Sequence, residues 1–345
     1  MKENSVVVLG VGRVGLRLAL VFADVGLDVS GIDLNSFIVS LLEKKTMPFL
    51  EEGADALLEK YSGNKFNVYL PDHQSRVVSE SKYIVITLGT PIDETYSPDH
   101  KQIEKLIIQL SPYLEKGHVI ILRSTISPGT TEQIARILEE QTKLKVGKDI
   151  FLAYCPERIA EGKSVQELRE IPQIIGTLDE ESGKMASKLF SKIAPSMLHS
   201  DPKSAELAKL YSNMYRYIDF AIGNEFMMIA EDYGTDIYKV LELVNKDYKR
   251  SGLKAPGFTA GPCLVKDGFF LLDKSPYMEL VTAAWRLNEN IPGYLLKRIK
   301  EVHLNLNKKK ITILGIAFKK DIDDVRFSLA PKLKRYFWQK VQKSL

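Results

Sequence analysis

The sequence predicts an α/β protein that begins with a parallel β-sheet and continues into a long helix. Two observations carry this prediction. Short apolar runs are separated by helical patterns through residues 5–154, and residues 204–232 contain no proline and a single glycine, Gly223. Strands that alternate with helices need crossover connections, which place the strands parallel in one sheet.

The predicted strands follow one another along the chain. They cover residues 5–9, 28–32, 83–87, 118–122 and 151–154. Apolar residues three and four positions apart predict one helix over residues 204–232, about 43 Å long. The run at residues 311–315 predicts a further strand. One strand and one helix cannot bury both faces of a parallel sheet, so this last α/β region is expected to be incomplete.

Length and composition indicate a folded protein of several domains. The 345 residues correspond to about two domains and a fragment of a third. Hydrophobic residues make up 45% and charged residues 27%, which excludes disordered, collagenous and disulfide-scaffold classes. Lys and Arg number 48 against 44 Asp and Glu, with no basic block, so no nucleic-acid partner is predicted.

Two cysteines, Cys155 and Cys263, allow at most one disulfide. This usage fits a reducing compartment and predicts a cytoplasmic location. Arg13 and Arg17 interrupt the apolar run that starts at Val6, so neither a signal peptide nor a membrane span is predicted. No metal site is predicted either.

The first predicted strand leads into a glycine-rich turn. Gly10, Gly12 and Gly15 form G-x-G-x-x-G before the first helical pattern. Glycine there allows a tight turn and a close approach of backbone to a pyrophosphate, to which the helix N-terminus offers amide donors. The alternative is that these glycines only serve an ordinary turn.

Asp33 ends the second predicted strand, 23 residues after Gly10. A carboxylate at this place accepts hydrogen bonds from both ribose hydroxyls and repels an extra phosphate, which predicts NAD rather than NADP. The alternative is a turn or helix cap, because Asn35 and Ser36 next to it are also capping residue types.

Cys263 lies in the sequence G-P-C-L-V-K-D of residues 261–267. Lys266, three residues further, would favour the thiolate form of the cysteine and so a nucleophilic role. Against this, a lone cysteine near a lysine is usually inert.

Seven segments of the sequence occur in the order typical of one family. They are residues 10–15, 89–91, 124–130, 156–158, Lys209 with Asn213, 261–267 and 317–326. On these segments the chain, over residues 5–335, resembles the UDP-glucose/GDP-mannose dehydrogenase family. Its members are nucleotide-sugar dehydrogenases, which oxidise the primary alcohol of a sugar to a carboxylate.

The resemblance implies a four-electron oxidation with two NAD molecules in turn. The aldehyde would stay bound to Cys263 as a thiohemiacetal, become a thioester and be released by water. Lys209 and Asn213, four residues apart on one helix face, would stabilise oxyanions. Glu157 would handle protons through the hydrolytic water, and Asp267 would orient water or the cysteine region. The alternatives for these residues are surface charges, loop acids or caps.

The resemblance also implies cofactor and substrate contacts, some of them at the residues just described, and adds Thr125 to the catalytic set. The cofactor contacts are Gly10, Gly12, Val14, Gly15, Asp33, Thr90, Thr125, Glu161, Lys266 and Arg326. The substrate contacts are Glu157, Arg158, Lys209, Asn213, Arg250, Gly257, Phe258 and Lys319. The counterpart of Arg250 reaches the sugar nucleotide of a neighbouring subunit, which predicts a homodimer built around the long helix.

The fold class implied is an N-terminal Rossmann-like parallel sheet, a long central helix with a helical dimerisation domain and an incomplete C-terminal α/β lobe. The predicted domains are an NAD-binding domain over residues 1–200, a central helical domain with the cysteine loop over 201–300 and the truncated start of a UDP-sugar-binding domain over 301–345. The resemblance implies about another half domain after the segment at residues 323–326, where this sequence is expected to form one basic helix over residues 332–345.

The chain departs from the family pattern at several residues. Thr259 and Ala260 stand where the family usually has glycine, and Val265 replaces a common proline. Cys155 stands where Asn or Ser is frequent, and we interpret it as a small packed residue.

Residues 156–163 and 168–176 resemble the acetamido-sugar branch of the family, so the predicted substrate is UDP-N-acetyl-D-mannosamine, with UDP-glucose as the first alternative. A second alternative is an inactive NAD-binding remnant that lacks a complete C-terminal lobe. A third is a β-hydroxy-acid dehydrogenase, which shares the first lobe and the long helix but forms no cysteine adduct.

Overall fold

The computed structural model describes residues 1–91, 101–272, 277–303, 306 and 309–342. The chain forms two compact units, Met1–Leu210 and Tyr211–Leu345.

The first unit is built on one eight-stranded sheet. Its strands are β1 (Lys2–Leu9), β2 (Asp28–Ile32), β3 (Phe66–Tyr69), β4 (Ser81–Ile86), β5 (Val119–Leu122), β6 (Phe151–Tyr154), β7 (Gln173–Thr177) and β8 (Met197–Ser200). They lie in the order β3-β2-β1-β4-β5-β6-β7-β8, and all neighbours are parallel except β6 and β7. The order of the first six strands is that of a Rossmann fold. Successive strands are added on one side of β1 up to β3 and on its other side from β4 onwards.

Helices cover both faces of this sheet. They are α1 (Gly15–Asp24), α2 (Ser36–Glu43), α3 (Ala54–Tyr61), α4 (Gln74–Glu80), α5 (Lys101–Leu110), α6 (Thr130–Thr142), α7 (Ser164–Glu170) and α8 (Glu180–Phe190). Helices α1, α3, α7 and α8 share one apolar core, and α4, α5 and α6 share the other.

Strand β1 shows why the sequence folds this way. Val6 and Val8 point into one core, whereas Val7 and Leu9 point into the other. A strand buried on both faces must be apolar without interruption, and the uninterrupted apolar run at residues 5–9 has this pattern.

The predicted α/β class is confirmed, and all five predicted strands of the first unit are present within a few residues of the predicted bounds. Strands β3, β7 and β8 were not predicted. β3 and β8 are four-residue edge strands whose residues are mostly half-buried or exposed, so neither has a distinct apolar run.

The regular elements in the described part of the second unit are all helices. A long helix, α9 (Pro202–Asp232), begins in the first unit and continues into the second, which confirms the helix predicted over 204–232. The others are α10 (Ile237–Asn245), α11 (Pro262–Lys266), α12 (Phe269–Leu272), α13 (Glu279–Val302) and α14 (Ala330–Gln342).

The prediction of a strand over residues 311–315 is wrong. This segment has no regular structure, and Ile311 and Leu314 are exposed. Ile313 packs against a small cluster that contains Leu296 and Leu333. The described part of the second unit contains no strand, so the backbone of this segment has no ladder to join. The predicted domain boundaries at residues 200 and 300 stay a prediction.

Candidate active site

The glycine turn lies between β1 and α1, and two of its glycines are required by the backbone. Gly10 has φ of +94°, a conformation that favours glycine. A Cβ at Gly15 would lie 1.9 Å from the Gly10 oxygen and 2.5 Å from Thr87 Oγ1. Thr87 Oγ1 also donates to the Gly10 oxygen at 2.6 Å. The turn is therefore tight, and it is fixed to the end of β4.

Gly12 has a different surrounding. A Cβ built there would meet no heavy atom of the described residues within 4 Å, so the backbone is open on that side with respect to them. Helix α1, which is fully described, has Val14 at its N-cap, no side-chain cap and no acidic residue in its first turn. An open backbone beside uncapped amides fits the pyrophosphate of a dinucleotide.

Asp33 follows β2 and faces the glycine turn. Its Oδ2 accepts from the Val11 amide at 2.9 Å, and its Oδ1 accepts from the Asn35 amide at 2.9 Å. Asn35 in turn caps α2 through its side chain. The carboxylate therefore has the structural role that the alternative assigned to it, since it stabilises the turn after β2. It also lies next to the glycine turn, which is where a ribose contact would require it. The ribose contact stays a prediction.

Thr90 and Thr125 follow β4 and β5, which are parallel neighbours in the sheet. Thr90 is buried and Thr125 is half-buried. Ser124 Oγ donates to the Leu88 oxygen at 2.7 Å, which joins the two loops. Both threonines thus lie at the carboxyl edge of the sheet, where doubly wound folds bind ligands.

Glu157 and Arg158 follow β6. Glu157 is buried, and its Oε1 accepts from the Ile159 amide at 2.7 Å. The Arg158 guanidinium donates to the Pro172 oxygen, and burial lowers its pKa. The sheet order brings this loop next to the one that carries Thr125.

A buried ion pair connects the loop after β6 with α1. Arg17 Nε lies 2.7 Å from Glu51 Oε2, with 2% and 0% of the two side chains exposed. Glu51 also accepts from the amides of Gly162, at 3.1 Å, and Ser164, at 2.7 Å. Glu161, a predicted cofactor contact, lies 3.7 Å from the Arg17 guanidinium. From the sequence alone, Arg17 was recognised only as a charged residue that interrupts an apolar run, and its buried ion pair was not predicted.

Glu206 is a second buried charged residue that the sequence pattern did not identify. It lies on α9 one turn before Lys209, and its carboxylate accepts from the amides of Gly129 and Thr131 at 2.6 and 2.9 Å. These contacts cap the start of α6. Burial raises the pKa of Glu206. No sequence signal distinguishes it from an exposed helix glutamate.

The two cysteines have opposite surroundings. Cys263 is exposed at the start of α11, where Pro262 takes the first helical position. Gly261 before it has φ of +107°, and a Cβ there would lie 2.9 Å from the Phe318 ring. Cys155 is fully buried, and burial raises its thiol pKa to about 12. This confirms Cys155 as a packed residue.

Asn213 and Asp267 are brought together although 54 residues separate them in sequence. Asn213 Nδ2 donates to Asp267 Oδ2 at 2.6 Å, and both side chains are buried. Lys209 is buried one turn earlier on the same helix. Two predicted catalytic residues thus form one polar pair directly after α11, the short helix that carries Cys263.

The remaining predicted contacts in the second unit lie on loops or short helices. Lys266 Nζ lies 5.4 Å from the centre of the Phe270 ring, and the exposed Arg250 lies over Tyr248 at 5.1 Å. The Gly257 amide donates to Asn224, whereas Phe258 is half-buried and Lys319 is exposed. Arg326 pairs with Asp324 at 2.6 Å. The roles predicted for these residues stay predictions.

In the part of the chain that the structure describes, no group of three His, Cys, Asp or Glu side chains could hold a metal ion. Among the same residues, no helix has the length and apolar character to span a bilayer.

The strand order and the glycine turn after β1 define a dinucleotide-binding protein. Residues 4–194 match the NAD binding domain of the UDP-glucose/GDP-mannose dehydrogenase family, and residues 203–291 match the central domain of that family. The chain belongs to this family of NAD-dependent nucleotide-sugar dehydrogenases. The predicted enzyme class and the predicted NAD cofactor are thereby confirmed.

Similar proteins cover nearly the whole chain. The UDP-N-acetyl-D-mannosamine dehydrogenase of Methanocaldococcus jannaschii is 32% identical over 334 residues, covering 96% of this chain and 75% of the relative. The structure of UDP-D-ManNAc dehydrogenase from Pyrococcus horikoshii has a TM-score of 0.90 at 32% identity and covers 98% of this chain and 81% of the other. A UDP-glucose dehydrogenase from Pyrobaculum islandicum has a TM-score of 0.87 at 27% identity, with 98% and 80% covered.

Proposed function

We propose that this chain oxidises the primary alcohol of UDP-N-acetyl-D-mannosamine to a carboxylate, in two successive two-electron steps at one site. The observation that carries the proposal is the exposed Cys263 at the start of α11, whose last residue is followed by the buried Asp267 paired with Asn213. The names of two relatives at 32% identity support the choice of sugar.

NAD⁺ bound at the glycine turn would accept a hydride in each oxidation. Between the two oxidations, the Cys263 thiol adds to the aldehyde carbon. A carbon–sulfur bond forms, and the carbonyl oxygen takes the proton to give a thiohemiacetal. Loss of a hydride from that carbon and of the hydroxyl proton leaves a thioester. Water then adds to the carbonyl, the carbon–sulfur bond breaks, and the carboxylate and the free thiol result.

Polar side chains on α9 would stabilise the substrate oxygen that becomes negatively charged during these steps. Asn213 has two amide hydrogens, and Asp267 accepts one of them at 2.6 Å. This bond orients the amide so that its second hydrogen can be donated to an oxyanion. The ammonium of the buried Lys209 would supply positive charge. Glu157, a buried carboxylate, would accept a proton from the hydrolytic water.

The stoichiometry of NADH tests the proposal. Anaerobic incubation of the protein with NAD⁺ and UDP-N-acetyl-D-mannosamine should give two NADH per sugar consumed. Cys263→Ser should give no carboxylate and no more than one NADH per sugar, and the buried Cys155→Ser is the matched control that should keep the ratio of two. A ratio of one in the unmodified protein contradicts the proposal.

The choice of sugar is tested by the same assay. A higher kcat/KM with UDP-glucose would assign the chain to that substrate. Oxidation of a β-hydroxy acid that survives Cys263→Ser would support the β-hydroxy-acid alternative.

We further propose that the active form is a homodimer formed through α9. Exposed aromatic and aliphatic side chains recur along this helix at intervals of four, seven, four and three residues. They are Tyr211, Tyr215, Ile222, Phe226 and Ile229. This spacing puts them on one face of the helix, and an exposed apolar stripe of this length is typical of a protein interface. A self-complementary stripe suits a second copy of the chain.

Sedimentation measurements test the dimer. Phe226→Glu should shift the protein to a monomer, because a charge would lie in the middle of the apolar stripe. Tyr238→Glu on α10, an exposed residue outside the stripe, is the control and should leave the dimer intact. A monomeric unmodified protein would contradict the dimer. The low cysteine content, two in 345 residues, supports the predicted cytoplasmic location.

A further inference from the structure

Two fully buried amides cross the helical core of the second unit. Asn224 on α9 and Asn288 on α13 both have 0% of their surface exposed. Asn224 Nδ2 donates to Asn288 Oδ1 at 2.9 Å, and Asn288 Nδ2 donates to the Tyr217 oxygen at 3.3 Å. Asn224 Oδ1 accepts from the Gly257 amide at 2.8 Å. The bonds form one line from α13, through α9, to the loop that precedes Cys263.

The loop lies unusually close to α9 at this point. A Cβ at Gly223 would lie 2.4 Å from the Lys254 oxygen, so only glycine leaves room for the loop backbone. Glycine in a helix interior lowers helix stability, and Gly223 is the one glycine in α9. The close approach explains a residue that the sequence pattern left unexplained.

The segment between this contact and the cysteine is short and constrained. Gly257 precedes Cys263 by six residues. Thr259 and Ala260 between them are buried, and Gly261 lies against the Phe318 ring. A segment held in this way has little conformational freedom. A displacement of the Gly257 backbone should therefore also displace the start of α11.

We propose that Asn224 is a positioning residue for the cysteine loop. It fixes the Gly257 amide to α9 and thereby sets where the Cys263 thiol and the predicted substrate contacts at Gly257 and Phe258 lie. The inference rests on the proposed function for the roles of those three residues. An apolar pair could fill the same buried space, but only a side-chain acceptor can fix a backbone amide by a directional hydrogen bond.

A pair of alanine variants separates positioning from general packing. Asn224→Ala removes the acceptor of the Gly257 amide. Asn288→Ala removes an equally buried amide of the same network but leaves the Gly257 acceptor in place, so it is the matched control. Both are expected to lower the melting temperature to a similar extent. Hydrogen exchange in peptides that cover residues 254–262 should become faster only in Asn224→Ala.

Kinetics then test the consequence for the reaction. A displacement of about 1 Å at a reacting group lowers the rate by as much as about 100-fold, so kcat of Asn224→Ala should fall between about 10-fold and 100-fold. The dissociation constant for NADH should stay within about twofold, because the dinucleotide turn is untouched. Asn288→Ala should keep kcat within about threefold of the unmodified protein.

Gly223→Ala gives an independent test that removes no hydrogen bond. It favours the helix but pushes the Lys254 carbonyl away, so the same loss of kcat is expected in a variant with unchanged or higher helix stability. It also serves as the test if Asn224→Ala does not fold.

The rate of Cys263 alkylation by iodoacetamide provides a readout that needs no sugar, because the buried Cys155 does not react. It should change at least threefold in Asn224→Ala and Gly223→Ala and stay unchanged in Asn288→Ala. Equal effects of the two asparagine variants on exchange, alkylation and kcat would overturn the proposal. So would an unchanged alkylation rate in Asn224→Ala. If the unmodified protein oxidises no UDP-sugar, the proposed function fails, while exchange and alkylation still decide the positioning role.

Discussion

Replacing Glu51 by glutamine should destabilise the first unit by about 3–5 kcal/mol, because it removes one partner of a buried ion pair. The carboxylate forms an ion pair with Arg17, whose Nε lies 2.7 Å from Oε2, and accepts hydrogen bonds from the amides of Gly162 and Ser164 at 3.1 and 2.7 Å. Glutamine has a single acceptor oxygen, so at least one of these donors loses its acceptor.

Two parts make up this magnitude. A buried donor without an acceptor costs about 1–3 kcal/mol. The charge of Arg17 is then left with the Ser164 hydroxyl at 2.9 Å and Glu161 at 3.7 Å. Because Glu161 supplies partial compensation, we expect a value in the lower half of the range for the whole substitution.

Urea unfolding followed by circular dichroism measures the loss in free energy of unfolding. Glu59→Gln is the control, since Glu59 is 70% exposed and pairs with Lys45 only at the surface; it should change stability by less than about 0.5 kcal/mol. In a double-mutant cycle, Arg17→Met combined with Glu51→Gln should lose less than the sum of the single variants. Additive losses, or a loss below about 1 kcal/mol for Glu51→Gln, would refute the reasoning.

Three further predictions concern the first unit. Gly15→Ala should weaken NADH binding at least 10-fold in a fluorescence titration, because its Cβ would lie 1.9 Å from the Gly10 oxygen. Gly252→Ala is the control and should leave binding unchanged, since a Cβ there would meet no atom of the described part of the chain within 4 Å. Lowering the pH below 6.5 should lower the free energy of unfolding. Burial lowers the pKa of His118 from its ordinary 6.5, so the unfolded chain takes up the proton at a higher pH than the folded chain. A His118→Gln variant should lack this slope in urea unfolding at several pH values. Asp33→Ser should reduce the preference for NAD over NADP at least 10-fold, measured as the ratio of kcat/KM values; an unchanged ratio would contradict the ribose role.

The α/β class, the long helix and the glycine turn could all be predicted from the amino-acid sequence. These features depend on short-range patterns. An apolar run marks a strand buried on both faces, a stretch without proline and with few glycines permits a helix, and Gly10 and Gly15 are needed by the backbone of their own turn. The seven family segments added the cysteine loop, because they are recognisable in order without any knowledge of distances.

Which polar residues are buried, and what they bind, depends on contacts between distant parts of the chain. Glu51 meets Arg17 across 34 positions of sequence, Asn224 meets Asn288 across 64, and the Asn213 amide meets Asp267 across 54. No local pattern separates such residues from exposed ones, because their environment is made by distant parts of the chain. The same reason explains the failed strand at residues 311–315: a strand needs a neighbouring strand, and its own apolar run cannot supply one.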